Sequence, residues 1–216
     1  MANLAVSALI VLLGVTSFLY GLTLESIKTI FRWMTVDGTV FTTVGSAVCA
    51  AVNLVEMSRH TELTRRTVYL IRLSCAVAES VILIVVLFSQ LPFFSEHLPL
   101  FDRYDSFVMH AVIPLLCVMS FLMNDSPIGR LKPIELWHGT TFVSYYAFNI
   151  LLLIGTGTLP PDLIPYFFLD YRQSGWGVFL GAFVFIYTSA YLMAWGLSEW
   201  NRKLSWLWFK DVAKEK

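Results

Sequence analysis

His110 stands inside an apolar stretch, and two threonines, Thr42 and Thr43, stand near the start of another. A neutral imidazole beside an aliphatic hydroxyl is the smallest side-chain set that performs nucleophilic acyl transfer, the ring taking the proton as the oxygen attacks. Hydrocarbon penalises stray polar groups, so those found in apolar runs begin as functional candidates. Glu79 and Asn149, each inside a further apolar run, join them on the same ground.

The elements that position these residues follow from composition. Of 216 residues 57% are hydrophobic and only 14% charged, and the mean hydropathy is +0.69. Soluble domains carry roughly 45–50% apolar and about 25% charged residues, so the chain reads as an all-α, integral multi-pass membrane protein. Its formal net charge is zero, which gives no electrostatic basis for binding nucleic acid. Cys49, Cys75 and Cys117 all lie in apolar runs, and neither they nor the four histidines have metal-ligand spacing. No metal or cofactor is expected. No phosphate-cradling glycine loop, serine-hydrolase elbow or zinc-protease motif occurs.

Apolar runs near the ~20 residues that cross a bilayer fall at 4–24, 39–55, 68–88, 107–123, 137–155 and 177–197. They predict a bundle of six transmembrane helices over 1–198 and a juxtamembrane tail over 199–216. The first run lacks a basic leader and reads as an uncleaved span. Lys and Arg fall eleven to one side of the spans and four (Lys28, Arg32, Arg103, Arg172) to the other. The excess marks the cytoplasmic side and puts both termini there. The second and fourth spans then both run inward, which sets Thr42, Thr43 and His110 at one depth, about a turn below the outer surface.

On a helical wheel Thr39, Thr42, Ser46, Cys49 and Asn53 form one narrow polar stripe, with Thr43 on its flank. Packing by small residues is the plain reading of that stripe; a catalytic face is the sharper one. Pro114, four residues after His110, removes the donor for the His110 carbonyl and predicts a kink there. Glu79, mid-span, must pair, face the bundle or hold a proton, and Tyr145, Tyr146 and Asn149 are its expected partners. The loop 158–177, rich in proline and aromatic residues, reads as an interfacial belt or as a cap over a cavity. The tail alternates Trp with Lys, as interfacial anchors do.

Three segments together resemble the androgen-induced hydrolase family of six-span proteins that cleave fatty-acid esters of hydroxy fatty acids, and its bacterial relatives. They are Phe41-Thr42-Thr43-Val44, His110 with Pro114, and Tyr166 to Asp170 followed by Gly175-Trp176-Gly177. The resemblance implies a threonine nucleophile at 42 or 43 with His110 as its base. The aromatic-x-Thr likeness favours Thr43 and the stripe favours Thr42. Where the family places an Asn or Asp one turn after its threonine, this chain has Ser46, and a second family histidine has no counterpart here.

The expected activity is hydrolysis of a lipid ester in a plasma or bacterial inner membrane, with Thr43 (or Thr42) and His110 catalytic. Ser46, Pro114, Asp170, Glu79 and Asn149 are expected around the substrate, and Asp102, Asp105 or Asp170 could orient the imidazole. The rival reading is a transporter or small-molecule binder with a midplane site at Glu79 and Asn149. The partners are the membrane and a lipid ester.

Overall fold

The computed structural model describes residues 2–59, 65–85, 103–125, 127–164 and 166–214. His60, His97, Asp102 and the end of the expected third span (86–88) lie outside them. All regular structure among the described residues is helical. Six principal helices follow one another: α1 (Ala2–Leu24), α2 (Met34–Arg59), α3 (Arg65–Val85), α4 (Tyr104–Asn124), α5 (Thr141–Gly155) and α6 (Trp176–Lys214). Five of these, all but α5, are long and apolar enough to cross a membrane.

Local chemistry accounts for the boundaries. α4 ends where Asp125 turns extended, two residues before Pro127. The segment leading to α5 is stepped: Pro133–Leu136 is a single helical turn and Trp137–Thr140 is a tighter 3₁₀ turn. Ser74 Oγ donates at 2.7 Å to the His138 carbonyl, which also accepts the Thr141 N–H that closes the tighter turn. A Cβ on Gly139 would stand 2.5 Å from that of Ala194, so only glycine lets this turn meet α6. α6 is continuous through residues 199–214, so the helix shows no break at the expected tail boundary.

α3 is the central helix. Its Leu73, Ala76, Val77, Ala78 and Glu79 are essentially inaccessible, and it packs against α2, α4, α6 and the 3₁₀ turn. Helices in hydrocarbon gain nothing from apolar burial against one another, so close packing and polar ties must hold them. Arg72 supplies the principal tie. Its guanidinium pairs with Asp125 at 2.5 Å and donates to Ser120 Oγ of α4 at 2.6 Å and Ser7 Oγ of α1 at 3.2 Å. Asn201 of α6 donates to the carbonyls of Phe121, Leu122 and Asp125, closing the end of α4, and accepts from Tyr69.

α1 and α2 meet most closely where Gly14 lies on Thr43, and a Cβ at position 14 would overlap the Thr43 hydroxyl. Gly14→Ala should therefore lower stability by about 1–3 kcal/mol, the usual effect of overpacking. Adding Thr43→Ala should recover most of the loss in the double variant. Thermal melting followed by size-exclusion chromatography in detergent measures both.

Candidate active site

α2 begins at Met34, five residues before the apolar run that marks it in the sequence. Thr35 therefore stands in its first turn. Seven residues separate Thr35 from Thr42, about two turns at ~3.6 residues each, so Thr35 is the outer end of the Thr39–Thr42–Ser46–Cys49 stripe. Thr39, Thr42, Ser46 and Cys49 are all buried.

His110 sits at the centre of a π-turn, Val108–Val112, in α4. The Ile113 N–H bonds the Val108 carbonyl five residues back. The widened turn comes immediately before Pro114, whose ring cannot donate to the His110 carbonyl. The kink expected at His110 thus takes the form of a wide turn.

The imidazole has partners on both nitrogens. Nδ1 lies 2.8 Å from the Ser106 carbonyl and 3.1 Å from the Ser106 hydroxyl. A carbonyl can only accept, so Nδ1 carries the hydrogen and Nε2 is the bare acceptor. Nε2 lies 3.1 Å from Thr35 Oγ1, which donates to it. The bonds run from hydroxyl to imidazole to backbone carbonyl, the order in which a nucleophile, a base and an orienting group are joined. Asp105 is buried nearby, but its oxygens bind Arg103 at 2.6 and 3.2 Å.

Thr35 and His110 open on a cavity of about 560 Å³. Its wall carries two ion pairs, Arg32 with Glu25 at 3.0 Å and Arg103 with Asp105, so the formal charges cancel. The Arg32 guanidinium also lies over the Trp33 ring at 4.8 Å. Tyr166 reaches the cavity from the loop before α6. Burial pushes its phenol up to about 12, which keeps the hydroxyl neutral.

Neither threonine expected beside His110 is bonded to it. Thr43 is half-buried against Gly14 and donates to the Thr39 carbonyl at 2.6 Å. Thr42 is fully buried; its hydroxyl faces the Glu79 carboxyl without completing a well-formed hydrogen bond. Ser46 lies deeper, beside Arg72 at a void of about 10 Å³, room for about one water. Pro114 is buried behind the π-turn. Asp170 caps the short helix Tyr171–Ser174 and pairs with Arg172 at 2.8 Å, a bond that holds its carboxyl below the usual range.

Glu79 and Asn149 have different neighbours. Asn149 Nδ2 donates to Asp37 Oδ2 at 2.8 Å and to the Phe31 carbonyl at 3.1 Å. Tyr146 donates to the Arg32 carbonyl at 3.0 Å. α5 thus grips the chain on both sides of Thr35. Asp37 and Thr35 are the residues that sequence reasoning missed; the stripe, extended one turn outward from Thr39, signals Thr35, while Asp37 lies off it on another face of the helix.

Comparison with family models, with curated proteins and with solved structures finds no match. Among the described residues no group of His, Cys, Asp and Glu has the arrangement of a metal site.

Asn149→Ala would leave the fully buried Asp37 carboxyl without its donor, a loss of about 1–3 kcal/mol for an unsatisfied buried group. The exchange Asp37→Asn with Asn149→Asp keeps one donor facing one acceptor and should restore most of it. Melting temperatures of the three proteins in one detergent test this.

Proposed function

We propose that this chain is a membrane-embedded hydrolase of lipid esters, with Thr35 as nucleophile and His110 as general base and acid. The 3.1 Å contact from Thr35 Oγ1 to His110 Nε2 on the wall of a 560 Å³ cavity carries the reading. Both residues sit within the ~2.6–3.2 Å that proton transfer requires.

The reaction proceeds in two halves. The Thr35 oxygen attacks the acyl carbonyl as its proton passes to His110 Nε2. The tetrahedral oxyanion collapses, the C–O bond to the alcohol breaks, and Nε2–H returns the proton to the leaving oxygen. The acyl-threonine ester is then attacked by water, deprotonated at the same nitrogen, and the carboxylic acid leaves with Thr35 restored. Thr35 stands at the head of a 26-residue helix. The first-turn amides there have no intrahelical acceptor and present partial positive charge to a developing oxyanion. Ile30, Val36 and Met109 give the cavity an apolar side suited to an acyl chain.

The aromatic-x-Thr likeness to the androgen-induced hydrolases recurs at Trp33-x-Thr35, with an acidic residue, Asp37, two positions on, where the family places its Asn or Asp a full turn after the threonine. Six crossings with both termini cytoplasmic complete the reading. α5 is about 22 Å long at ~1.5 Å per residue, and the 3₁₀ turn Trp137–Thr140 adds about 8 Å. Together they match the ~30 Å hydrocarbon core. In that topology the cavity opens on the outer side of a plasma or bacterial inner membrane.

Labelling of the detergent-purified protein with a fluorophosphonate probe tests the assignment. Thr35→Ala should abolish labelling and His110→Gln should slow it by about 10²–10⁴-fold, with folding checked by size-exclusion. Thr42→Ala and Thr43→Ala should label as the wild type does. Labelling that survives Thr35→Ala while vanishing in either of the other threonine variants would move the nucleophile there. A folded wild type that never labels would remove the hydrolase reading.

A further inference from the structure

The reaction needs a donor for the carbonyl oxygen besides the helix amides, and one side chain on the cavity wall is suited to be that donor. Tyr166 lines the same cavity as Thr35 and His110. It belongs to the loop between α5 and α6, so it reaches the cavity from an element other than the helices that carry Thr35 and His110. Stacking on Phe168, with centroids 5.5 Å apart and planes 17° from parallel, fixes the ring's orientation.

The hydroxyl is uncommitted. Among the described residues it has no hydrogen-bond partner, and it is not one of the buried polar atoms sealed from solvent. The two tyrosines whose hydroxyls lie near the start of α2 differ on this point. Tyr146 is spent on the Arg32 carbonyl at 3.0 Å, whereas Tyr166, close enough to interact electrostatically with Tyr146, holds nothing. A phenol is suited to an oxyanion: it donates one strong hydrogen bond, carries no charge to desolvate and cannot compete with His110 for the proton at neutral pH.

We propose that Tyr166 is a catalytic residue whose hydroxyl donates to the carbonyl oxygen of the ester as it becomes an oxyanion, alongside the first-turn amides of α2. The assignment rests on the hydrolase reading. In the ground state the hydroxyl meets a weakly charged carbonyl, and in the tetrahedral state a full negative charge, so its contribution falls on kcat and not on KM.

Tyr166→Phe removes the hydroxyl and keeps the stacked ring. Hydrolysis of a long-chain p-nitrophenyl ester by the purified protein should lose about a hundredfold or more in kcat, with KM unchanged. A long-chain alkyl trifluoromethyl ketone, which adds a hydroxyl nucleophile and carries the resulting oxyanion, should lose inhibitory potency in parallel. The matching alkyl ether, which forms no oxyanion, should bind both proteins equally. An unchanged kcat overturns the proposal. So does a loss in which ether binding falls as far as trifluoromethyl ketone binding, because that pattern reports damaged packing. If the variant matches the wild type while Thr35→Ala is dead, only the role of Tyr166 fails. If the wild type cleaves no ester and Thr35→Ala changes nothing, the hydrolase reading fails first and takes this role with it.

Discussion

The bond from Asn149 to Asp37 fixes where α2 begins, and the candidate site depends on that start. An acidic side chain with no accessible surface needs a donor, and the Asn149 amide is the one the fold provides. The same amide and the Tyr146 hydroxyl hold the carbonyls of Phe31 and Arg32, so the approach to α2 is tied to α5 at three points. Asp37 also lies in the first helical turn, where the helix dipole favours negative charge. With this end anchored, Thr35 faces His110. Eight residues further, about 12 Å along the axis at ~1.5 Å each, Thr43 can only pack against Gly14.

Polar ties of the same kind recur at the other end of the bundle, and they divide the molecule into two zones. Arg72 joins α1, α3 and α4, and Asn201 joins α6 to both α3 and α4. A buried ion pair broken by removing one partner costs about 3–5 kcal/mol, because the other charge stays behind unpaired. Such groups specify which helix faces lie together where apolar packing alone would be permissive. In that zone the Arg72 guanidinium and the Asn201 amide are held by bonds within the protein. The zone around Thr35, His110 and Tyr166 leaves donors and acceptors open to a cavity, as a site for a ligand must.

Much of this was legible in the residues, and the failures have physical causes. Apolar runs of near-spanning length gave the helical class and placed the principal helices, because hydropathy tracks the one solvent that allows such runs. The apolar run that marks α2 starts at Thr39, after the charged Asp37, whereas the helix itself starts at Met34. The burial of Asp37 depends on a partner 112 residues away, which no local pattern reveals. An expected start at Thr39 leaves Thr35 outside the span, so only Thr42 and Thr43 stand as partners for His110 in the sequence. His110 needed no such long-range information, for Pro114 marks the disturbed turn locally. Glu79 and Asn149 seemed natural partners as the two polar groups deepest in their spans, yet similar depth does not make two side chains neighbours.

The carbonyl that holds Nδ1 of His110 also restricts where a proton can travel. In the proposed hydrolysis, once the ring has taken the Thr35 proton, both nitrogens carry hydrogen, and the Ser106 carbonyl on one side has no capacity to accept one. The exit that leads to the reacting atoms is back through Nε2, into the cavity where that reaction places the leaving alcohol. A carboxylate in the Ser106 position would give the proton a second place to rest. Here the histidine works as a chamber with a single door, so the base of the first half-step is constrained to become the acid of the next.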